Sequence, residues 1–238
     1  MKKSIIYSLA VGIFLFTLHP VFAQATEPLV NPNTDKGQSD PKSEEILKKV
    51  AAIYKGYKTI NASFTLTTTS LNKKPVVSKG NVWIKGNKFK LDYASQEIYC
   101  NGSTIWTYNP DDAEVTLEDY KKRDNSITPN EIFTVYSKGY KSKYEGPIVT
   151  DGNKVRDVIR LVPKKKANYS YLKLEIDNSN YKICKVIQHY KNGTEVSIEM
   201  VKLTPNTALK DEFFQWTEAG HEGVEVVDLT KAKKKKKG

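Results

Sequence analysis

The chain has 238 residues, of which 39% are hydrophobic and 27% charged, and its formal net charge is +11. Lys2 and Lys3 carry two of these charges and the lysines of residues 231–238 carry six, which leaves +3 for residues 24–230. This balance excludes a strongly basic body, so no nucleic-acid partner is predicted. The lysine-rich tail, residues 231–238, is predicted to be either a solvated charge run or a loose contact with an anionic membrane surface.

The N terminus has the pattern of a secretory signal peptide. Two lysines precede an apolar run from Ile5 to Leu18, and Val21 and Ala23 supply small residues at the positions that a signal peptidase requires. We predict a signal peptide over residues 1–23, cleaved after Ala23, and export to the periplasm. An uncleaved N-terminal anchor is the alternative, although the run is short for a membrane span. Residues 24–40 are polar and rich in turn formers, and we predict a flexible leader there.

An amphipathic helix is predicted after this leader. Asp40 is suited to cap it, and Pro41 fits the first turn, where no backbone N–H is needed. Apolar residues then recur every three or four positions up to Gly56, so one face of the helix must pack on another element. These apolar positions are Ile46, Leu47, Val50, Ile53, Tyr54 and Tyr57.

From Ile60 onward the sequence predicts a series of short antiparallel strands. The segments are rich in Thr, Tyr, Val and Ile, and several alternate between apolar and polar residues. Short turn signals separate them, among which are Gly86-Asn87, Asn101-Gly102, Asp151-Gly152 and Asn192-Gly193. Because short connections join neighbouring antiparallel strands, we predict one mainly β domain over residues 41–230, an α+β fold in which helices cover a sheet.

One helical segment interrupts the strands. Thr128 as cap, Pro129 at the first position and Glu131 at the third form a capping box. Ile132, Phe133, Val135 and Tyr136 give the segment an apolar face. We predict a short helix over residues 129–137 that covers the sheet.

Reactive groups are sparse, and we predict neither an enzyme nor a cofactor or metal site. His189 and His221 have no carboxylate or cysteine at metal-ligand spacing, and the common nucleophile and phosphate-loop motifs are absent from the sequence. Asp111-Asp112 and Glu44-Glu45 are typical of a solvated turn and a helix start. Catalysis by residues distant in sequence leaves an envelope enzyme acting on lipid or glycan as an alternative. The two cysteines, Cys100 and Cys184, can either form a disulfide or remain buried thiols.

The aromatic residues by themselves indicate only a hydrophobic core, but the order of several segments resembles the outer-membrane lipoprotein carrier (LolA) family. The resemblance covers residues 40–229, and no single segment is specific; their order and spacing carry it. The segments are Ile-Asn-Ala-Ser-Phe at 60–64, Gly-Asn-Val-Trp-Ile-Lys at 80–85, Phe-Lys-Leu-Asp-Tyr at 89–93, Asn-Gly-Ser-Thr-Ile-Trp-Thr-Tyr-Asn-Pro at 101–110, Phe-Phe-Gln-Trp-Thr at 213–217 and Gly-Val-Glu-Val-Val-Asp at 223–228.

The resemblance implies an incompletely closed antiparallel β-barrel, lidded by helices, whose apolar cavity binds acyl chains. It also implies the partners of a monomeric periplasmic carrier, namely acylated lipoproteins, an inner-membrane lipoprotein-releasing transporter and an outer-membrane acceptor. A periplasmic sensor that binds lipid and reports envelope stress to a membrane-bound partner is the alternative. The family's latch arginine is missing here, because Lys85 is followed by Gly86-Asn87.

On this basis ten residues are predicted to bind acyl chains. The seven on strand segments are Phe64, Leu66, Trp83, Phe89, Leu91, Trp106 and Trp216, and the three on a movable lid are Ile132, Phe133 and Tyr136. Alternation along the strand places Trp83 on the other side from Val82 and Ile84. A charge at Leu66 or Phe133 is expected to abolish lipoprotein binding and to leave the fold largely intact.

Overall fold

The computed structural model describes residues 39–120 and 139–230. Helix α1 spans Pro41–Lys55. It begins where the sequence predicts, because the side chain of Asp40 accepts a hydrogen bond from the Ser43 backbone N–H and Pro41 occupies the first turn. It ends at Gly56, whose N–H returns to carbonyl oxygens of the last turn.

Twelve strands form one sheet. They are β1 (Ile60–Thr69), β2 (Val76–Lys85), β3 (Lys88–Tyr93), β4 (Gln96–Cys100), β5 (Thr104–Asn109), β6 (Glu114–Asp119), β7 (Tyr140–Thr150), β8 (Lys154–Pro163), β9 (Tyr169–Asp177), β10 (Ile183–Tyr190), β11 (Glu195–Pro205) and β12 (Glu225–Asp228). Two 3₁₀ turns, Asp151–Asn153 and Asp211–Phe214, complete the described elements.

The strand order across the sheet is β12-β6-β5-β4-β3-β2-β1-β11-β10-β9-β8-β7. Every neighbouring pair is antiparallel except β12 and β6, which are parallel. The sheet therefore consists of two meanders, β1–β6 and β7–β11, which are joined where β1 pairs with β11. The curved open sheet and its covering helix confirm the predicted fold class.

The two faces of the sheet differ in what covers them. One face, which we call the helix face, carries a continuous cluster of buried apolar side chains that includes Ile46, Leu47, Val50 and Tyr54 of α1. Nearly all the strands contribute to it, so the amphipathic stripe of α1 packs on the alternating apolar residues of the sheet. The strand residues with the most completely buried large side chains are Phe64, Leu66, Phe89, Leu91, Ile98, Ile105, Ile159, Leu161 and Leu174.

The other face, which we call the opposite face, carries a smaller buried cluster of Tyr99, Trp106, Val115 and Trp216. The chain after β11 supplies Trp216 and then adds β12 alongside β6. Sequence alternation did not predict this return of the C-terminal segment. Trp216, predicted on a strand segment, instead follows the 3₁₀ turn Asp211–Phe214 and lies outside the strands.

Several smaller predictions can be placed on this fold. The predicted turns at Gly86-Asn87, Asn101-Gly102, Asp151-Gly152 and Asn192-Gly193 each connect consecutive antiparallel strands. Both cysteines are free thiols, Cys100 buried and Cys184 half-buried, so no disulfide joins them. The predicted signal peptide, most of the leader, the second helix and the lysine tail lie outside the described residues. No helix among the described residues is long and apolar enough to span a membrane.

Candidate functional site

Four of the predicted acyl-binding residues come together on the helix face. Phe64 and Leu66 lie on β1, and Phe89 and Leu91 lie on β3, two strands away. Each side chain is at most 2% exposed and belongs to the cluster that includes α1. Among the described residues, these four side chains therefore form a packed apolar surface.

A glycine on the intervening strand allows Phe64 to lie flat against the sheet. A Cβ at Gly80 would collide with the Phe64 ring and would lie 2.8 Å from the Asp92 carbonyl oxygen. The ring also stacks on Tyr93, with 6.2 Å between centroids. Any side chain at Gly80 would displace the aromatic ring at the centre of the candidate site.

The three predicted tryptophans lie on the opposite face, so they do not share a surface with these four residues. The pairing of β2, β3, β4 and β5 places Trp83, Lys90, Tyr99 and Trp106 in one row across the strands. Since side chains alternate along a strand, this row faces away from Val82, Leu91, Ile98 and Ile105. Trp216 packs with Trp106 in the small cluster there. No observation tests whether any of the ten residues binds acyl chains, which stays a prediction.

The predicted lid residues Ile132, Phe133 and Tyr136 lie outside the described residues. The described residues on either side, Tyr120 and Tyr140, both pack against the helix-face cluster.

Polar contacts bind the start of α1 to strand β7. The Asp40 N–H donates to the Ser142 carbonyl oxygen at 3.1 Å, and the Ser43 hydroxyl lies 2.7 Å from the Ser142 hydroxyl. The second carboxylate oxygen of Asp40 accepts the Tyr144 N–H. Burial alone would raise the pKa of Asp40, but the backbone hydrogen bonds from Ser43 and Tyr144 outweigh it and hold that pKa below its usual value.

A second contact holds the other end of α1. The Ile183 backbone N–H on β10 donates to the Tyr54 hydroxyl at 3.1 Å. Burial raises the pKa of Tyr54 well above its usual value, so the hydroxyl stays neutral. Polar contacts of α1 thus reach β7 at its start and β10 near its end, and Lys49 donates to the hydroxyl of Tyr181, in the turn between β9 and β10, at 3.1 Å.

Lys85, the residue before the Gly86-Asn87 turn at which the LolA resemblance leads one to expect a latch arginine, contacts the C-terminal segment. Its ammonium group donates to the Leu209 carbonyl oxygen at 2.8 Å and lies 3.0 Å from Asp211, which also pairs with Lys88 at 2.7 Å. These bonds fasten the C-terminal segment to the β2–β3 hairpin. The lysine thus joins the C-terminal segment to the sheet.

A cluster of three charged side chains, Lys90, Asp92 and Glu97, is partly buried beside the aromatic cluster of the opposite face. The Lys90 ammonium lies 3.0 Å from Glu97 and 3.3 Å from Asp92, and 4.9 Å from the Tyr99 ring centroid. Burial alone would raise the pKa of Glu97, but hydrogen bonds from Tyr99 and Lys90 hold it below its usual value. Asp92 differs, because its burial outweighs the charge of Lys90 and raises its pKa. Burial and the hydrogen bond to Glu97 raise the pKa of Tyr99 to about 12.

A groove of about 890 Å³ lies beside this group. Its lining is mixed, with polar residues such as Ser63 and Asn81 beside the apolar Phe64, Tyr93 and Val201. Hydrocarbon in the groove would cover its polar groups without giving them hydrogen-bond partners, so the groove is less suited to an acyl chain than the helix face. Among the described residues, no group of His, Cys, Asp or Glu is arranged to hold a metal ion.

Sequence reasoning left several members of the candidate surface out of the predicted site. Ile46, Val50 and Tyr54 of α1 belong to the same cluster as Phe64. The alternation of Leu172, Leu174 and Ile176 on β9 was a usable signal, since all three are buried on the helix face. The glycine at 80 gave no such signal, because its role depends on a ring from the neighbouring strand.

Comparison with known proteins was informative at the level of family and fold. Residues 55–217 match the family model described as "Outer membrane lipoprotein carrier protein LolA". A search of the curated proteins gives no match.

Among solved structures, the chain is similar to an uncharacterized conserved protein from Thermus thermophilus, with 10% identity, a TM-score of 0.53, and 79% of this chain and 99% of that one covered. It also matches a LolA superfamily protein from Nitrosomonas europaea, with 15% identity, a TM-score of 0.40 and coverage of 73% and 97%. For LprF from Mycobacterium bovis the identity is 12%, the TM-score 0.47 and the coverage 74% and 99%. The first of these supports the fold.

The matched segment begins at the end of α1 and continues past Trp216, so it includes eleven of the twelve strands. The description of the matched family is that of a lipoprotein carrier. On the strength of this match, the chain belongs to the outer-membrane lipoprotein carrier (LolA) family.

Proposed function

We propose that this protein is a periplasmic carrier that binds the acyl chains of lipoproteins on its helix face and ferries them from the inner to the outer membrane. Family membership supports the proposal. The structural observation that carries it is the continuous apolar surface of an open sheet, covered in the described residues by a single helix. Its partners would be acylated lipoproteins, an inner-membrane releasing transporter and an outer-membrane acceptor, and it would act as a monomer.

The physical task of such a carrier is to keep hydrocarbon out of water. Each buried methylene is worth ~0.8 kcal/mol, so a sixteen-carbon chain represents about 12 kcal/mol that must be shielded during transfer. Apolar contact is not directional, so hydrocarbon can replace a helix stripe on the same surface at similar free energy. Cargo binding and release then need only a modest difference in free energy between the surface covered by α1 and the surface covered by acyl chains.

The packing of the helix face means that cargo has to displace something. Phe64, Leu66, Phe89 and Leu91 are covered, so we propose that α1 moves away from the sheet when acyl chains enter. The polar contacts to β7 and β10 would then act as the fastening of the closed form. Each such hydrogen bond contributes roughly 0.5–1.5 kcal/mol, an amount that cargo binding can overcome.

Transfer of a labelled lipoprotein tests the function. Inner-membrane vesicles with the releasing transporter are supplied with the purified protein, and soluble lipoprotein is measured after the vesicles are sedimented. An acylated lipoprotein should appear in a soluble complex and pass on to outer-membrane vesicles, whereas the same protein without its acyl chains should not bind. Equal behaviour of the two forms would exclude a carrier of acyl chains. Binding without onward transfer would favour the lipid sensor.

A reversible crosslink tests the role of α1. The hydroxyl oxygens of Ser43 and Ser142 are 2.7 Å apart, so thiols in the Ser43→Cys/Ser142→Cys variant should reach bonding range. The oxidised variant should lose lipoprotein uptake, because α1 is fixed to β7, and reduction should restore it. The variant with Ser43→Cys alone is the matched control and should be unaffected by oxidation. Undiminished uptake by the crosslinked variant would show that α1 does not open at its N-terminal end.

A further inference from the structure

Three turns lie side by side at one end of the sheet. They are residues 70–75 between β1 and β2, 164–168 between β8 and β9, and 191–194 between β10 and β11. The pairing of Thr69 with Glu195 and of Tyr190 with Tyr169 places them at the same end. The first and third turns touch, since a Cβ at Gly193 would lie 2.8 Å from Leu71 Cδ1. We call these three turns the basic end.

The basic end has a concentrated positive charge. It contains six lysines and no acidic residue, and all six side chains are exposed. None of them forms an ion pair with another described residue, whereas Lys85, Lys88 and Lys90 elsewhere all do. The six are Lys73, Lys74, Lys164, Lys165, Lys166 and Lys191.

Apolar side chains project from the same place. Leu71 is 70% exposed, and Val76 and Val77, at the start of β2, are 64% and 59% exposed. They flank Lys73 and Lys74 in one hairpin. Exposed aliphatic groups among lysines are the combination that binds an anionic lipid interface, because the cations meet the headgroups and the aliphatic groups enter the acyl boundary.

The other end of the sheet lacks this combination. There the β7–β8 turn, Asp151–Asn153, includes an acidic residue, and Val149 is 70% exposed beside it. Exposed lysines are present but separated, at Lys55, Lys58 and Lys154. The β5–β6 turn, with Asp111 and Asp112, lies at the same end as the three basic turns but beyond β3 and β4 in the sheet. The three turns therefore stand out by the clustering of their lysines and not by apolar exposure.

We propose that the basic end docks on anionic membrane surface, with its lysines on lipid phosphates and the Leu71 side chain inserted between headgroups. This surface lies in the body of the fold and is separate from the lysines of residues 231–238. It requires no cargo, so it goes beyond the carrier function. It would orient the molecule with the β1–β2 hairpin toward the bilayer.

Vesicle flotation tests the proposal. The protein is isolated from cells that express the full chain, and its N terminus is read by mass spectrometry. It should float with vesicles containing phosphatidylglycerol and not with pure phosphatidylcholine, and added salt should weaken the binding. Lys73→Gln/Lys74→Gln/Lys191→Gln should lower the partition coefficient on the order of 100-fold, because each lysine near the surface contributes roughly fivefold. Leu71→Ser should lower it roughly tenfold.

Matched variants at the other end serve as controls. Lys55→Gln/Lys58→Gln/Lys154→Gln removes the same charge, and Val149→Ser removes an equally exposed aliphatic side chain. Both should bind vesicles as the unchanged protein does, and circular dichroism should show all variants folded. The proposal is overturned if the unchanged protein does not float, if the controls lose as much binding as the basic-end variants, or if replacing only the lysines of residues 231–238 abolishes binding.

Discussion

The helix face and the opposite face are built from alternate residues of the same strands, but different contacts hold what covers them. On the helix face, apolar side chains such as Phe89 and Leu91 pack in one cluster with α1, whose polar contacts include those to β7 and β10. On the opposite face, the C-terminal segment is fixed by Lys85 and Asp211 and lies beside the ion pairs of Lys90.

This difference in contacts decides which covering can be replaced and which is fixed. A covering held by apolar contact can be replaced by another apolar group without leaving buried polar atoms unpaired. A covering held by ion pairs and hydrogen bonds cannot, because each broken contact leaves a group that needs a specific partner. The helix face is therefore suited to exchange α1 for another apolar group, whereas the C-terminal segment is suited to remain bound to the opposite face.

The largest effect is expected at the centre of the helix face. Phe89 is fully buried, and Phe89→Ala should lower the free energy of unfolding by about 3–5 kcal/mol, through lost burial and the cavity left behind. Phe213→Ala, on the half-buried ring that packs against Trp83, should cost clearly less. Urea unfolding measures both. Equal losses of unfolding free energy in the two variants would show that the two faces do not differ in how they contribute to stability. Leu66 is also buried, so Leu66→Glu would place a charge in the apolar cluster and should unfold the protein. This expectation replaces the one from sequence, in which a charge at Leu66 leaves the fold largely intact.

A smaller effect is expected from the ion pairs of the opposite face. Lys90→Met leaves Asp92 and Glu97 without their cation and should cost about 1–2 kcal/mol at neutral pH, a figure reduced because both carboxylates are about one-third exposed. The pKa of Glu97 is held below its usual value, so its stabilising contribution is present above pH ~4.5 and is lost as the pH falls through the folded pKa.

In Lys90→Met the burial of both carboxylates instead favours their protonation. Unfolding free energies measured from neutral pH to pH ~3 should therefore converge for the variant and the unchanged protein. The exposed Lys42, 3.9 Å from Glu45, is the control, and Lys42→Met should change stability and its pH dependence much less. A gap that stays constant with pH would show that Lys90 acts through packing alone.

The smallest effect is expected at the cap of α1. Asp40→Ala should lower stability by about 1 kcal/mol through loss of the cap, whereas Asp40→Asn should retain most of it. The folded pKa of Asp40 is lowered, so its contribution is fully present above pH ~4 and is lost as the pH falls through the folded pKa. Thermal unfolding as a function of pH measures this, and Asp40→Asn should lack the acid-dependent part. A faster lipoprotein uptake by Asp40→Ala would sharpen the comparison, because it would identify the α1 fastening as the barrier.

Local sequence pattern was sufficient for the parts of the fold that depend on near neighbours. The cap at Asp40, the turn at Asn101-Gly102 and the alternation of Phe64 and Leu66 on β1 are all found where the sequence predicts them. Each depends on residues within a few positions of one another.

The placement of the tryptophans could not be predicted in this way. Alternation along β5 indicates that Trp106 faces away from Ile105, but it does not indicate which segment of the chain packs on that face. The cover of the opposite face comes from residues more than a hundred positions later, when the chain around Trp216 crosses back and β12 pairs with β6. For the same reason Gly80 was missed, since its importance arises from a ring on the adjacent strand.

The joining of the two meanders through β1 and β11 has a consequence for how the chain acquires its structure. Each meander is made of hairpins between consecutive strands, which form quickly from local contacts. The seam between Ile60–Thr69 and Glu195–Pro205, in contrast, closes only when almost the entire polypeptide is available. During synthesis the apolar residues of the first meander therefore stay exposed until β11 has been made. In this interval the chain is most prone to aggregation.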